Sequence, residues 1–424
     1  YLGEWTLFRD MRVVPSDCVA EWQDERFCWK RLWTVRPSDA RWDRGWDELA
    51  DEMYALSHQA VAAVLKTQSS WILPLSGGLD SRLIAAVGAS MGVDLRTYTY
   101  GPSTWNEPIF ARQVSKVLSL PWKGVDLGTH YLARYTQMWA DWFGSSLGFH
   151  GMYQASFLES LSDEPPGPLL HGFMGDALTG NRLLDLIATH SNQGEFRVLS
   201  SGHWTGQEVK SLLKFSVHDA LKQVSSQIRN EIDPLPGAWF QRLMLFHLHN
   251  RLRFFISYHP MMYDYWRGVA TPFFNREYAR FCLSLPRLAL EERRLLREMY
   301  CRHYPHLAAI SSTYYGRPFL LTPYFLIKRK IARHLPGSLC LGPLREFKTA
   351  ANTMDQDCIR ATGQAAVWPI FEARDRLCEL VNMYMVEEAY KAAMAGDLQA
   401  VSKLEAVQTL AYRLLDTQSQ TTSL

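Results

Sequence analysis

Residues 71–83 read WILPLSGGLDSRL, and this stretch decides the fold. The apolar residues 71–75 predict a buried strand, and the residues from Leu83 to Met91 predict a helix. Gly77 and Gly78 between them allow the backbone to approach a phosphate closely. The free N–H groups of the turn and of the helix N-terminus would point at that anion. The stretch therefore predicts a strand, a phosphate-binding loop and a helix.

The polar side chains of the loop suit the same ligand. Ser76 and Ser81 supply hydroxyl donors, and Asp80 supplies a hard oxygen ligand for a Mg²⁺ ion that carries pyrophosphate. The loop is not a Walker A motif, because no Gly-Lys-Ser/Thr sequence is present. The alternative interpretation is a strand-to-helix turn that merely needs glycine. We expect a phosphate group to be bound by the whole loop: Ser76, Gly77, Gly78, Leu79, Asp80 and Ser81.

Strand and helix patterns alternate around this loop. A helical pattern covers residues 46–65, a second strand covers 95–100, and a helix of about residues 107–118 leads to a third strand at 122–125. Pro165 begins a further strand that runs into His171-Gly172. This alternation predicts an α/β fold with a doubly wound parallel sheet. Tyr100, the last residue of the second strand, is predicted to contact the nucleotide.

The remainder of the chain has a different character. Residues 1–40 contain short strand patterns and a linker, which predicts a small antiparallel sheet or the end of a β-rich domain. Residues 41–183 form the predicted ATP-binding core, and residues 184–424 a large helical part. Long helical patterns cover 207–231, 236–256, 274–284, 290–302, 320–334, 367–395 and 397–416. Residues 181–204 have no sustained period, so a loop or lid is expected there.

Composition limits the functional classes. The chain has 424 residues and a formal net charge of +2, so no global field favours nucleic acid or an anionic membrane. The seven cysteines are scattered without a CxxC pair, which indicates reduced thiols and a cytoplasmic location rather than a zinc site. No apolar run approaches the roughly 20 residues that span a bilayer.

Ser76 to Ser81 resembles the signature of the asparagine synthetase-like family, which includes asparagine synthetase B, β-lactam synthetase and lasso-peptide cyclases. His171-Gly172-Phe173-Met174-Gly175-Asp176 is similar to the second phosphate-side motif of that family, Ser-Gly-x-Gly-x-Asp-Glu. Weaker likenesses cover residues 107–114, 271–275 and 295–307. The resemblance implies a PP-loop fold, ATP and Mg²⁺ as ligands, Mg²⁺ binding by Asp80 and Asp176, and nucleotide contact by Gly172. Residues 1–35 resemble the last strands of the family's glutaminase-type domain.

The chain departs from the family in the second motif and in its expected base. Met174 replaces the second Gly of the motif and Ala177 its last acidic residue, and the alternative role for Asp176 is a helix N-cap. Gly268 stands where asparagine synthetases have a Glu that assists the amine. A substitute base could be Asp264 with Tyr263 or Tyr265.

Basic residues that hold pyrophosphate in the family suggest two more positions in this chain. These are Arg317, in Tyr314-Tyr315-Gly316-Arg317, and then Lys328. The alternative for Arg317 is a solvated loop arginine, and Lys328-Arg329-Lys330 could equally be a solvated helix face.

These features suggest an ATP-dependent carbon–nitrogen ligase that forms an acyl-adenylate and releases AMP and pyrophosphate. Its substrate would be a small molecule or a peptide, and a precursor peptide or its carrier protein is a further candidate partner. Neither nucleic acid nor a membrane span is expected. Alternatives are a lasso-peptide cyclase that forms an intramolecular macrolactam, and a degenerate nucleotide-binding scaffold. The catalytic cysteine of the glutaminase-type domain is not in this chain, so we expect neither glutamine nor free ammonia to supply the nitrogen.

Overall fold

The predicted parallel sheet is present and has five strands. The computed structural model describes residues 2–6, 10–16, 18–32, 36–143, 151–181, 183, 187, 204–321, 323–334 and 353–421. Every neighbouring pair in the sheet is parallel, and the strands lie in the order β5-β4-β3-β6-β7. Their bounds are β3 Ser70–Pro74, β4 Asp94–Tyr100, β5 Trp122–Val125, β6 Leu169–Leu170 and β7 Val269–Ala270.

The strand order reverses between β3 and β6. Strands β3, β4 and β5 progress towards one edge, whereas β6 and β7 extend the sheet from the other side of β3. This reversal is compatible with the predicted doubly wound arrangement, and ligands of such sheets bind at the carboxyl ends of the strands beside the reversal. The loop that follows β3 and the segment that follows β6 meet at that place.

Strand β6 is much shorter than the strand predicted at residues 165–170, because of the prolines in that segment. Leu169 pairs with Ile72 on one side and with Val269 on the other. Pro165, Pro166 and Pro168 lack the N–H group that a central strand must donate, so only two residues join the sheet.

Helices cover both faces of the sheet, and successive side chains of β3 point alternately into the two cores that these layers enclose. Trp71 and Leu73 belong to one apolar core, which also contains Leu83 and Val114. Ile72 belongs to a second core, in which Trp139 and Leu404 are buried. Period-two alternation in a strand that is buried on both faces produces this three-layer arrangement.

The helices of the α/β part have these bounds: α1 Trp46–Leu65, α2 Leu79–Met91, α3 Asn106–Leu118, α4 Tyr131–Phe143, α5 Tyr153–Ser160 and α6 Gly175–Leu178. The helix after the loop begins at Leu79, four residues earlier than the apolar pattern suggests. The motif therefore supplies the first turn of α2. Helix α4 was not predicted, although its buried residues recur with a helical period.

The C-terminal part is predominantly helical, as predicted. Its α-helices are Gly206–Leu212, His218–Ile232, Trp239–His247, Tyr258–Arg267, Arg276–Cys282, Arg287–Leu290, Arg294–His303, Pro305–Ala308, Pro323–His334, Met354–Thr362, Trp368–Glu372, Arg374–Leu380, Met383–Ala395 and Leu398–Thr421. A π-helix, Leu248–Ile256, and the 3₁₀ segments Pro272–Phe274, Glu291–Arg293 and Gly363–Val367 also lie in the described residues of this part. Most of the loop expected at residues 181–204 lies outside the described residues.

Two of the long predicted helices are wrong in their continuity. The pattern at 207–231 forms two helices, because Leu213 leaves the first one to bridge with Val381, and the Lys214 N–H group donates to the Leu380 carbonyl at 2.8 Å. The pattern at 367–395 breaks into three helices. A tertiary contact interrupts the first pattern, and the local period does not reveal it.

The predicted N-terminal antiparallel sheet is confirmed as a hairpin. Strand β1, Cys18–Gln23, pairs with β2, Arg26–Arg31, and the turn residues Asp24 and Glu25 both have positive φ angles. That conformation matches the twist of a two-residue hairpin. In the described parts of the chain, no helix combines the length and the apolar character needed to cross a membrane.

Candidate functional site

The loop Ser76–Ser81 is shaped by its own serines. The Ser81 hydroxyl accepts a hydrogen bond from the Ser76 N–H group at 3.1 Å and lies 2.9 Å from the Ser76 hydroxyl. The Ser76 hydroxyl also accepts from the Gly78 N–H group at 3.1 Å. The serines therefore hold the turn closed, and the start of α2 follows directly from it. With 13 residues behind it, this N-terminus can attract an anion.

Gly77 is required by close packing rather than by an unusual φ angle. A Cβ atom at this position would lie 2.4 Å from the Thr313 hydroxyl and 3.2 Å from Phe110. The Thr313 N–H group also donates to the Gly77 carbonyl at 3.1 Å. Residues around Thr313 therefore lie directly against the loop.

Arg82 joins the loop to the same segment. Its side chain is fully buried and donates to the carbonyl oxygens of Leu307, Ile310 and Ser311 at 3.0, 3.1 and 2.9 Å, and to that of Gly77 at 3.3 Å. Burial lowers the pKa of Arg82 to about 10. Carbonyl dipoles rather than an anion therefore surround the guanidinium. These hydrogen bonds hold residues 307–313 against the loop.

The second motif packs on the first through its glycines. A Cβ atom at Gly172 would lie 2.9 Å from the Asp80 Cβ, and one at Gly175 would lie 2.5 Å from the Asp80 carboxylate. Met174, which stands in place of a glycine of the motif, has a φ angle of 75° and lies at the N-cap position of α6. A methionine in this left-handed conformation stores local strain. Asp176 is within the helix, so it is not the N-cap residue.

Asp80 forms a buried ion pair with Arg293. The two side chains are 20% and 6% exposed, and the carboxylate lies 2.5 Å from the guanidinium, which also donates to the Thr179 hydroxyl at 2.8 Å. Burial raises the pKa of Asp80, and Asp176 adds to this rise while Arg293 opposes it. Asp80 and Asp176 hold the pKa of Arg293 above its usual value.

Arg293 reaches this position through an unusual backbone. Glu292 and Arg293 both have positive φ angles, 49° and 54°, and Arg293 stands at the N-cap of the helix Arg294–His303. Two successive non-glycine residues in this region are strained and persist only where the surroundings impose them. Sequence reasoning missed Arg293, since it is 213 residues from Asp80 and only the fold brings them together.

The pair Asp80 and Asp176 fits a Mg²⁺ ion that retains water and phosphate ligands. Both carboxylates border one cavity and influence each other electrostatically. Mg²⁺ is commonly bound by one or two carboxylates together with substrate phosphates. Among the described residues no group of three or more His, Cys, Asp or Glu side chains could form a closed metal site. Oxygen ligands from a bound nucleotide would have to complete the coordination.

A cavity of about 340 Å³ lies above the loop and collects most of the predicted residues. Its lining includes Ser76, Gly78, Leu79, Asp80, Ser81, Tyr100, Gly172, Asp176 and Tyr263. Cavities of this size suit small ligands, whose pockets commonly measure about 300–1,000 Å³. The cavity wall also contains Glu107, Tyr153, Gln154, His259 and Thr313, none of which was predicted as a site residue, together with His171 of the second motif.

Four predicted residues do not line this cavity. Asp264 is exposed, because it follows the buried Tyr263 on one helix and successive helical residues point in different directions. Arg317 borders a separate cavity of about 260 Å³, and Lys328 lies on the helix Pro323–His334. Gly77 packs against Thr313 and is not among the residues that line the cavity.

Gly268 has a structural explanation. It ends the helix Tyr258–Arg267 with a φ angle of 80°, and its N–H group donates to the Asp264 carbonyl at 3.0 Å. L-residues with side chains rarely adopt this conformation. A glutamate at this position would therefore be strained in the observed backbone.

His171 is neutral in this environment. Burial lowers its pKa to about 4, and its Nδ1 accepts a hydrogen bond from the Phe173 N–H group at 3.0 Å. The proton of the neutral ring therefore lies on Nε2. Sequence inspection offered only the position of His171 before the second motif as a signal.

No protein-family model matches this chain, and no curated protein does. The functional interpretation therefore depends on the motif and on the geometry of the cavity.

Proposed function

We propose that this chain is an ATP-dependent ligase that activates a carboxylate as an acyl-adenylate and forms an amide, releasing AMP and pyrophosphate. The observation that carries this proposal is the convergence of the loop Ser76–Ser81, Asp80, Asp176 and Arg293 on one cavity. A sheet of the PP-loop type would place the nucleotide at the carboxyl ends of β3 and β4. The motif Ser-Gly-Gly-Leu-Asp-Ser then receives the phosphates.

The residues of the loop would stabilise the charge of the departing pyrophosphate. Backbone N–H groups at the start of α2 and the guanidinium of Arg293 are fixed in place before the reaction, so they need no reorganisation when charge develops. A Mg²⁺ ion bound by Asp80 and Asp176 would neutralise part of the phosphate charge. Neutral His171 offers an Nε2–H donor at the same cavity without adding a positive charge.

A second cavity favours a large acid over aspartate. It measures about 900 Å³, and apolar residues predominate in its wall, among them Met174, Leu248, Leu252 and Phe273. Phe173 borders both cavities and stacks on Phe274, with 5.5 Å between the ring centroids. We therefore propose a substrate acid with a bulky apolar part, such as a peptide or a specialised metabolite. An intramolecular macrolactam-forming reaction on a peptide would also fit this cavity.

The test is pyrophosphate exchange into ATP, measured with a panel of acids. The panel contains aspartate, apolar amino acids and short apolar peptides with an Asp or Glu side chain. We expect Mg²⁺-dependent exchange with the apolar members and none with aspartate. Nucleotide binding without exchange for any acid would favour the scaffold alternative. Robust asparagine formation from aspartate and ammonium would favour ordinary asparagine synthesis.

A further inference from the structure

Glu107 places a carboxylate without a positive partner in the cavity wall. It lies in the first turn of α3, and no described Lys, Arg or His forms an ion pair with it. Burial alone accounts for the raised pKa of Glu107. Arg293 interacts with Asp80 and Asp176 instead. A partly buried carboxylate is costly unless a cation compensates it, so this position is suited to a cationic ligand.

Gln154 adds a second acceptor to the same wall. Its side chain is 1% exposed, and its Oε1 atom has no hydrogen-bond partner. Its amide nitrogen lies 3.5 Å from the Tyr153 hydroxyl. A buried amide oxygen without a donor costs free energy, which a ligand N–H group would recover. Glu107 and Gln154 thus present two acceptors to a ligand at this point.

The acceptors converge near Tyr153. The charge of Glu107 contributes to the raised pKa values of both Tyr153 and Tyr100, and Gln154 is the hydrogen-bond neighbour of Tyr153. The rings of Tyr100 and Tyr153 lie 5.3 Å apart, and those of His171 and Tyr263 lie 5.4 Å apart. Aromatic faces attract cations, especially in desolvated surroundings.

We propose that Glu107 and Gln154 form a binding site for a protonated primary amine, with the aromatic rings around Tyr153 as its walls. An ammonium group supplies three N–H donors and one positive charge, which suits two acceptor side chains, one of which is an uncompensated carboxylate. If the proposed ligase function holds, this ligand is the amine that attacks the acyl-adenylate once Glu107 has taken up its proton; the new C–N bond then replaces the C–O bond to AMP, which leaves. The site then replaces, as a means of positioning the amine, the carboxylate that Gly268 cannot provide. The amino group of adenine is the competing ligand.

The site can be tested without turnover. The probe is benzylammonium chloride, and the neutral comparison is benzyl alcohol; binding of each is measured by titration calorimetry at pH 7.5. We expect the ammonium to bind more tightly than the alcohol. Glu107→Gln should weaken ammonium binding at least tenfold and leave the alcohol unaffected. Gln154→Met should weaken it several-fold, and this second variant keeps the test valid if the first does not fold.

The matched control is Glu277→Gln. Glu277 is also a first-turn glutamate, but it is exposed, pairs with Arg280 at 3.3 Å and lies outside the cavity. The Glu277→Gln variant should bind the ammonium as tightly as the unmodified chain does. Binding of the α,β-methylene analogue of ATP is measured in parallel and should be unchanged in Glu107→Gln.

Equal ammonium affinity in Glu107→Gln and the unmodified chain would overturn the proposal. Loss of the ATP analogue together with unchanged ammonium binding would assign Glu107 to adenine instead and would also overturn it. Failure of the ligase proposal would be seen differently, as absence of ATP binding or of pyrophosphate exchange. The two hypotheses can therefore fail independently.

Discussion

At the scale of single residues, the candidate site depends on one buried charge pair. Asp80 and Arg293 are both largely withdrawn from water, and the charge of Asp176 also acts on Arg293. Removing one member of a buried pair leaves an uncompensated charge, which costs more than the pair itself contributes. Asp80 therefore combines a structural and a proposed metal-binding role.

We expect Asp80→Asn to abolish pyrophosphate exchange and to destabilise the fold by about 3 kcal/mol, because Arg293 would remain buried without a full partner. Urea unfolding followed by fluorescence measures the second effect. The double variant Asp80→Asn with Arg293→Met should regain stability but not exchange. Asp51→Asn removes an exposed partner of Arg302 and should leave the unfolding midpoint nearly unchanged. Unaltered exchange in Asp80→Asn would exclude the proposed metal role.

Met174 should be more tolerant of glycine than of alanine. Both substitutions remove the methionine side chain, but the backbone at this position has a φ angle of 75°, which glycine adopts more readily than alanine. Met174→Gly should therefore be more stable than Met174→Ala by about 1 kcal/mol. The matched control is Met138 in the helix α4, where the order should reverse, since glycine weakens a helix interior by about 1 kcal/mol relative to alanine. Thermal unfolding of the four variants decides this. The same order of stability for the glycine and alanine variants at both positions would contradict the backbone strain at Met174.

At the scale of elements, the decisive contact joins the start of α2 to residues 307–313. Arg82 lies in the first turns of α2 and binds carbonyl oxygens from the other segment. Tyr300 makes a parallel contact, because its hydroxyl donates to the Leu79 carbonyl at 2.7 Å. These bonds fix the position of the loop relative to residues 307–313.

Arg82→Met should destabilise the chain by about 3–5 kcal/mol, because it leaves several buried carbonyl oxygens without donors. It should also weaken ATP binding, since residues near Thr313 would no longer be held against the loop. Arg82→Lys keeps the charge but has fewer donors, so an intermediate effect is expected. Arg280→Met, at an exposed helical pair, serves as the control. Urea unfolding and nucleotide titration provide the measurements. A stable Arg82→Met variant with normal ATP binding would show that this junction is not needed.

At the scale of the whole molecule, His171 couples stability to pH. Its ordinary pKa is about 6.5, and burial lowers the pKa in the folded chain to about 4. Above the higher value both states are neutral, so His171 has no effect there. Between these values the unfolded chain binds a proton that the folded chain does not, and stability therefore falls as the pH decreases.

His171→Asn should flatten this profile. Asparagine does not titrate, and its side-chain oxygen can accept the hydrogen bond from the Phe173 N–H group. Between pH 7.5 and 5.0 the unmodified chain should lose about 2 kcal/mol more unfolding free energy than the variant. Urea unfolding at both pH values measures the difference. Parallel losses in the two proteins would show that His171 is not held neutral by the fold.

The local sequence was sufficient for the core of the fold. Helix α1, strands β3 to β5 and helix α3 agree with the sequence predictions to within one residue, because each carries its own period or a strong turn signal. The motif Ser76–Ser81 also identifies a strand-to-helix loop by itself, since its serines close the turn through hydrogen bonds within six residues. The start of α2 inside the motif was less evident, because a polar first turn has no apolar period.

Tertiary structure alone decided which residues share the cavity. Arg293, Gln154 and Glu107 come from elements far apart in the chain, and nothing in their local sequence indicates a common site. Conversely, Asp264 and Arg317 look suitable in sequence but point elsewhere, because helical rotation and loop geometry set the direction of a side chain. Short-range hydrogen bonds and periodicity depend on residues that are close together in the sequence. Burial, desolvation and charge pairing arise only when distant segments pack against each other.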